Sequence, residues 1–313
     1  MAQPSTPGLI KGCIIAPIVT VVAIILIIVI AAVVVINMTP DALGIADIEL
    51  FEGETLRSLG LADIKLKDAF TFIKNLMNPD ESAIVTNPID KEVEKGTADS
   101  AIENSSVAKK EDGTIDYSSI VTDKIIYPTK EEITYKDTTL AYIFNQMVTD
   151  GAESSEDAIK FLQDMNAEID EVTISKDGES ATLRIVASMS TASIAGEVQA
   201  ALDEAGVGSF FKLPSKIYVV SYSTLSLNGE VLETSSVSLK INDSDSPLTD
   251  AIMKVLAKKA NDIAEDNGEQ VDTSENTVND AIGDAFVAVV TNLGKPIAVN
   301  NHEVVVETYT ENA

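Results

Sequence analysis

Apolar and polar positions along this chain fall into three regimes. The first is a continuous apolar run over residues 13–36, broken only by Pro17 and Thr20. As a helix it would be about 36 Å long, against a hydrocarbon core of about 30 Å. A cleaved signal peptide has a shorter apolar region and a small-residue cleavage site, and neither fits here. The run therefore reads as a retained transmembrane anchor over 13–37. Lys11 precedes it while Asp41, Asp47 and Glu49 follow. Positive charge stays inside, so residues 1–12 are expected in the cytoplasm and 38–313 outside the membrane.

The second regime is periodic. Residues 45–50 read as a short strand. Residues 64–67 read as another, running into Asp68 and a helix to about 77 with Ala69, Phe72, Ile73 and Leu76 on one face. The same order returns at 133–136, where strand residues lead to Asp137 and a helix to Val148. Leu140, Ile143, Phe144, Met147 and Val148 form its stripe, and Asp137 stands where it caps the first turn. Further helices are expected near 154–165, 193–205 and 248–263, the last opened by Ser246-Pro247. A final helix covers 277–293, buried through Val278, Ile282, Phe286 and Val289, with Gly294 as its stop.

Strands come in hairpins. Asp177-Gly178 predicts a type I′ turn, since both central positions need positive φ. Pairing outward puts Ile174 opposite Ala181 and Val172 opposite Leu183. The other face then sets Ser175 against Ser180, Thr173 against Thr182, and Glu171 against Arg184. A second hairpin, 216–227 with 231–241 about Asn228-Gly229, is about twice the usual strand length. A third is short, 297–299 with 303–309 through Asn300-Asn301. The pattern predicts an α+β fold: a largely antiparallel sheet with long hairpins and packed amphipathic helices, preceded by the transmembrane helix.

The third regime is residues 80–118, rich in Asp, Glu, Lys, Ser and Thr and without a sustained period. It reads as a polar acidic insertion or linker protruding from the 38–313 domain.

Composition narrows the chemistry. The 313 residues carry 50 acidic and 22 basic side chains, a net charge of −28. All the acids, and every basic residue except Lys11, lie after the apolar run. Such a domain does not bind nucleic acid, whose affinity comes from Lys and Arg neutralising phosphates. It would also be repelled by anionic headgroups. A single cysteine, Cys13 at the cytoplasmic edge, excludes a disulfide framework and reads as apolar filler rather than an acylation site.

No motif rises above chance. His302, the one histidine, falls beside a hairpin turn and reads as a solvated turn residue. Ser106/Lys109 and Ser209/Lys212 fit the S-x-x-K dyad spacing, but about two such matches arise by chance in this composition. Ser274-Glu275-Asn276 only faintly resembles the companion motif, and K-T-G is absent. Asp112, Gly113 and Asp116 look like part of a calcium loop whose first and third ligand positions would be Ala108 and Lys110, which do not suit calcium. Asp243 with Asp245, and the cluster Asp262, Glu265, Asp266, Glu269 and Asp272, read as solvated acidic surface. Asn104 and Asn242 begin glycosylation sequons. The expectation is no catalytic residue, no cofactor and no metal. The chain reads as a membrane-anchored extracytoplasmic binding or scaffolding module with an envelope protein partner. A carrier of an apolar ligand such as lipid is the first alternative, built on small Ser and Thr residues along the long hairpin. A glycan-acting hydrolase using paired carboxylates is the second.

Overall fold

A computed structural model describes residues 78–150, 168–192, 214–244 and 277–311 without a break, with scattered positions from 39 to 75. The expected anchor over 13–37 and the expected helices at 154–165, 193–205 and 248–263 lie outside the described residues. Among the described residues no helix is long and apolar enough to cross a membrane.

The fold is mixed α+β with mostly antiparallel sheets. Two short strands, β1 (Glu49–Phe51) and β2 (Glu54–Thr55), are followed by helices α1 (Glu81–Ile84), α2 (Lys91–Ile102) and α3 (Ser119–Thr122). Then come β3 (Ile126–Tyr127), β4 (Glu132–Lys136) and α4 (Asp137–Asp150). Two hairpins follow, β5 (Glu168–Asp177) with β6 (Ser180–Ser190) and β7 (Lys216–Asn228) with β8 (Val231–Ile241). Helix α5 (Thr277–Leu293) leads into β9 (Lys295–Asn300), β10 (Glu303–Glu307) and β11 (Tyr309–Thr310). The larger sheet has the order β5-β6-β7-β8 and the smaller one β4-β10-β9. The pair β3–β11 is parallel. Ile64 and Lys65 lie outside any strand, so the early strand–aspartate–helix unit keeps only its helical part, at positions such as Asp68 and Thr71.

Contacts divide the chain into two units, each taken separately. The larger comprises Glu81–Met189, Tyr218–Leu239 and Val278–Ala313. Helices α4 and α5 share its core with one face of the larger sheet: Leu140, Ile143, Phe286 and Val289 pack with Val172, Ile174, Leu183, Ile185 and Leu225. Phe144 stacks on Phe286, with centroids 5.9 Å apart and planes 8° from parallel. The smaller unit comprises Met1–Asp80, Ser190–Ile217 and Lys240–Thr277. Its described part is tied by Arg57, whose guanidinium meets Asp41 at 2.5 Å and Asp47 at 2.7 Å.

Residues 80–118 correct the linker reading. They hold α1 and α2, and Ile84, Ala98, Ile102, Val107 and Tyr117 are buried. Helix α2 starts at Asp90, whose carboxylate accepts the Val93 N–H at 3.3 Å. Its inner face reads Glu94, Ala98, Ile102, one turn apart. Glu94 is accommodated because Thr138 and Thr139 donate hydroxyls to its two oxygens at 2.8 and 2.6 Å. Tyr117 likewise donates to Asp99 at 2.5 Å. A glutamate and an alanine at inner positions hide the helical period. Helix α4 is buried beyond its predicted stripe, at Ala141 and Tyr142, and the Tyr117 ring meets Tyr142 edge-on.

The first hairpin also departs from expectation. Gly178 has φ +68°, while Asp177 is not among the positive-φ residues. The turn is therefore Gly178-Glu179, with glycine at the first central position, as a type II′ turn requires. Asp177 pairs with Ser180, Ser175 with Thr182 and Ile174 with Leu183. Partners shift by two residues, so the faces stay as predicted while every cross-strand neighbour changes.

Candidate functional site

The one histidine does not stand alone. Strand β4 runs directly into α4, and Asp137 at the junction is 2% exposed. Its Oδ1 accepts the Thr138 N–H at 2.8 Å, and its Oδ2 lies 2.7 Å from His302 Nδ1. The Asp137 N–H in turn donates to the His302 carbonyl at 2.9 Å. His302 sits in the turn between β9 and β10 with φ +60°, a left-handed conformation that histidine tolerates better than most residues. Its side chain is 64% exposed. The turn is thus Asn301-His302, one residue beyond the expected Asn300-Asn301. An imidazole held by a buried carboxylate is the base-and-orienter half of a hydrolytic relay. Among the described residues no Ser or Thr hydroxyl bonds to His302. The sequence places both residues, as helix cap and turn residue, but the approach of two positions 165 apart has no signal in it.

A second constellation centres on Glu171, which is fully buried on the far face of the larger sheet. Its carboxylate pairs with Arg184, accepts the Asn87 N–H at 2.7 Å and the Thr173 hydroxyl at 2.8 Å, and also takes the Thr86 N–H. Arg184 donates to the Ile84 carbonyl at 2.5 Å and to the Tyr222 hydroxyl at 3.1 Å. The expected Glu171–Arg184 pair therefore forms, but diagonally, since Arg184 is directly opposite Thr173. Burial pushes the Glu171 carboxyl upward. The hydrogen bonds from Asn87, Thr173 and Thr86 and the Arg184 charge outweigh it, leaving the group below the ordinary glutamate value of 4.5. Ile84 packs beside this node against Val186, Tyr218 and Val220. The node fastens residues 84–87 across the sheet. The bonds that fasten it join the Glu171 carboxylate to the Arg184 guanidinium.

The remaining candidates separate. Ser106 and Lys109 are not on a helix, so the lysine is not one turn from the serine, and the Ser106 hydroxyl accepts the Ile126 N–H at 2.8 Å. Asp112 and Asp116 each serve their own turn, bonding Thr114 at 2.9 and 2.6 Å and Ser118 at 3.0 and 2.6 Å. Among the described residues no three acidic, histidine or cysteine side chains gather as metal ligands would. Asn104 lies in an exposed turn, whereas Asn242 is 9% exposed and donates its amide to the Asn75 carbonyl. Asp243 is 4.0 Å from Lys240. Cys13, Ser209, Lys212, the 274–276 motif, Asp245 and the 262–272 acidic cluster lie outside the described residues.

Two observations bear on an apolar ligand. Helix α5 approaches the β7–β8 face so closely at Gly283 that an added Cβ would stand 2.7 Å from Thr234 Oγ1 and 3.6 Å from Ser223 Oγ. The small residues of that hairpin seat a helix there. A groove of about 230 Å³ does open between β9, the end of β7 and the β5–β6 turn, lined by Lys176, Glu179, Leu225, Leu227, Ile297 and Val299. It is smaller than the roughly 300–1,000 Å³ of ordinary ligand pockets. Lys176 donates to the Val299 carbonyl across it at 2.6 Å. Comparison of the chain with protein-family models, with curated proteins and with solved structures finds no match.

Proposed function

We propose that this chain is a membrane-anchored extracytoplasmic module that binds or scaffolds another protein of the envelope. The observation that carries the reading is how the best chemical groups are occupied. Asp137 holds a helix start and a hairpin turn, and Glu171 with Arg184 holds residues 84–87 to the sheet. Groups arranged this way fix a shape, and a fixed shape is what a binding surface needs. The apolar run at 13–36 supplies the anchor and the charge of the remainder keeps it off anionic headgroups. The close seat of α5 at Gly283 weighs against the carrier reading, because the space between sheet and helix is filled at that point.

Native mass spectrometry of the full chain, extracted from membranes in mild detergent, tests this. The proposal predicts a chain mass free of tightly held lipid, together with a population bound to a second protein. Lipid that survives delipidation and returns on back-exchange would overturn it in favour of the carrier.

A further inference from the structure

A strand at the end of a sheet presents a row of backbone N–H and C=O groups that any extended chain can join. Among the described residues β5 ends the larger sheet, and at three of its positions the outward groups are bonded from outside the sheet. At Ile169 the Asn145 carboxamide, from α4, accepts the backbone N–H at 2.6 Å and donates to the carbonyl of the same residue. A primary amide carries C=O and N–H side by side, so one side chain reproduces the exchange that a facing strand residue would make. Asn145 is 8% exposed, which commits it to this position. At Ile174 the backbone N–H lies 3.5 Å from Asp137 Oδ2, and the His302 N–H donates to the carbonyl at 2.8 Å. At Lys176 the N–H donates to Asn301 Oδ1 at 2.6 Å. The pairing register of β5 with β6 also slips between Ile169 and Glu171, and such a bulge is itself a way of spoiling an edge.

We infer that Asn145, Asp137, Asn301 and His302 form an edge cap that closes β5 to strand addition, whether by a second copy of this chain or by another extended segment. The assignment gives the His302–Asp137 pair a role that needs no hydroxyl: the imidazole steadies the carboxylate, and the carboxylate and the turn together occupy Ile174. It also unites two asparagines that a catalytic reading leaves without a role. Packing alone does not require side-chain oxygens aimed at three backbone N–H groups along one strand.

The full chain in detergent is the material for the test, read by amide hydrogen exchange and sedimentation. In the parent protein the amides of Ile169, Ile174 and Lys176 exchange slowly, as amides between paired strands do. In the double variant Asn145→Ala, Asn301→Ala, exchange over 168–177 rises by about tenfold or more, as expected on losing one or two hydrogen bonds. The same variant forms dimers and larger species as concentration rises. Fast exchange at those three amides in the parent overturns the inference, and that result stands even if the double variant does not fold. Unchanged exchange in a folded double variant overturns it too. So does a variant that exchanges faster yet stays the same size at every concentration.

Discussion

At the scale of single residues, the buried charges of Glu171 and Arg184 are paired, and their worth depends on remaining so. Removing one partner of a buried pair leaves the other charge uncompensated, at a cost of about 3–5 kcal/mol. Arg184→Met is expected to fall in that range, because Glu171 would stay fully buried. The pH dependence follows from the direction of the Glu171 shift. Its carboxyl lies below the ordinary value of 4.5 in the folded chain. The stabilisation is therefore complete above that value and is lost as pH falls through the lower, folded one. Glu171→Gln is expected to flatten the loss of stability between neutral pH and the acid range, measured as denaturation midpoint against pH. A variant whose acid profile matches the parent would show that the node contributes little. Tyrosines are buried in the same core. The Tyr127 hydroxyl meets that of Tyr135 at 3.2 Å, and burial pushes Tyr127 up to about 12. Both are neutral hydrogen-bonding groups in the fold.

Secondary elements show where the sequence is readable and where it is not. Asp137 after a four-residue strand pattern, and the stripe through Leu140 and Ile143, placed β4 and α4 directly, because helical period and cap agree. Helix α5 was legible from its apolar period, and the two long strands β7 and β8 from their extended β-branched pattern about Asn228-Gly229. Helix α2 was not, because hydroxyls from another helix satisfy Glu94 at an inner position and only Ala98 and Ile102 remain as apolar signal. Its cap, Asp90, was the available clue. Turn chemistry misled the hairpin register in a specific way. Asp-Gly fits two turns, and φ at Gly178 alone does not say whether the glycine comes first or second. The site followed the same division: Glu171 and Arg184 were visible as a cross-strand pair, whereas Thr86, Asn87 and Ile84 reach them from residues that looked like linker. Two experiments read these corrections. Cysteines at Ser175 and Thr182 are expected to form a disulfide, as directly opposite residues about 5.5 Å apart can, whereas cysteines at Ser175 and Ser180 are not. Efficient bridging of the second pair would restore the earlier register. Replacing residues 80–118 by a short Gly-Ser link is expected to abolish cooperative unfolding, since it removes Ile84, Ala98, Ile102 and Tyr117 from the core. A well-folded deletion would return that stretch to the status of an insertion.

At the scale of the whole molecule, the apolar run at 13–36, proposed as a membrane anchor, precedes a larger unit whose polar groups hold its shape. Net charge of −28 disfavours association with anionic surfaces and favours partners that are neutral or basic. The groove by β9 is small and crossed by Lys176, so that groove leaves little room for a ligand. The reading proposed for the chain is that residues 38–313 lie outside the membrane and contact another envelope protein. Crosslinking of the full chain on intact cells, with a reagent that does not cross the membrane, tests it most directly. A discrete adduct between this chain and one other protein, through lysines located after residue 40, is the expected result. Protection of every such lysine from the external reagent, or labelling that yields no adduct while lipid remains bound to the chain, would contradict it.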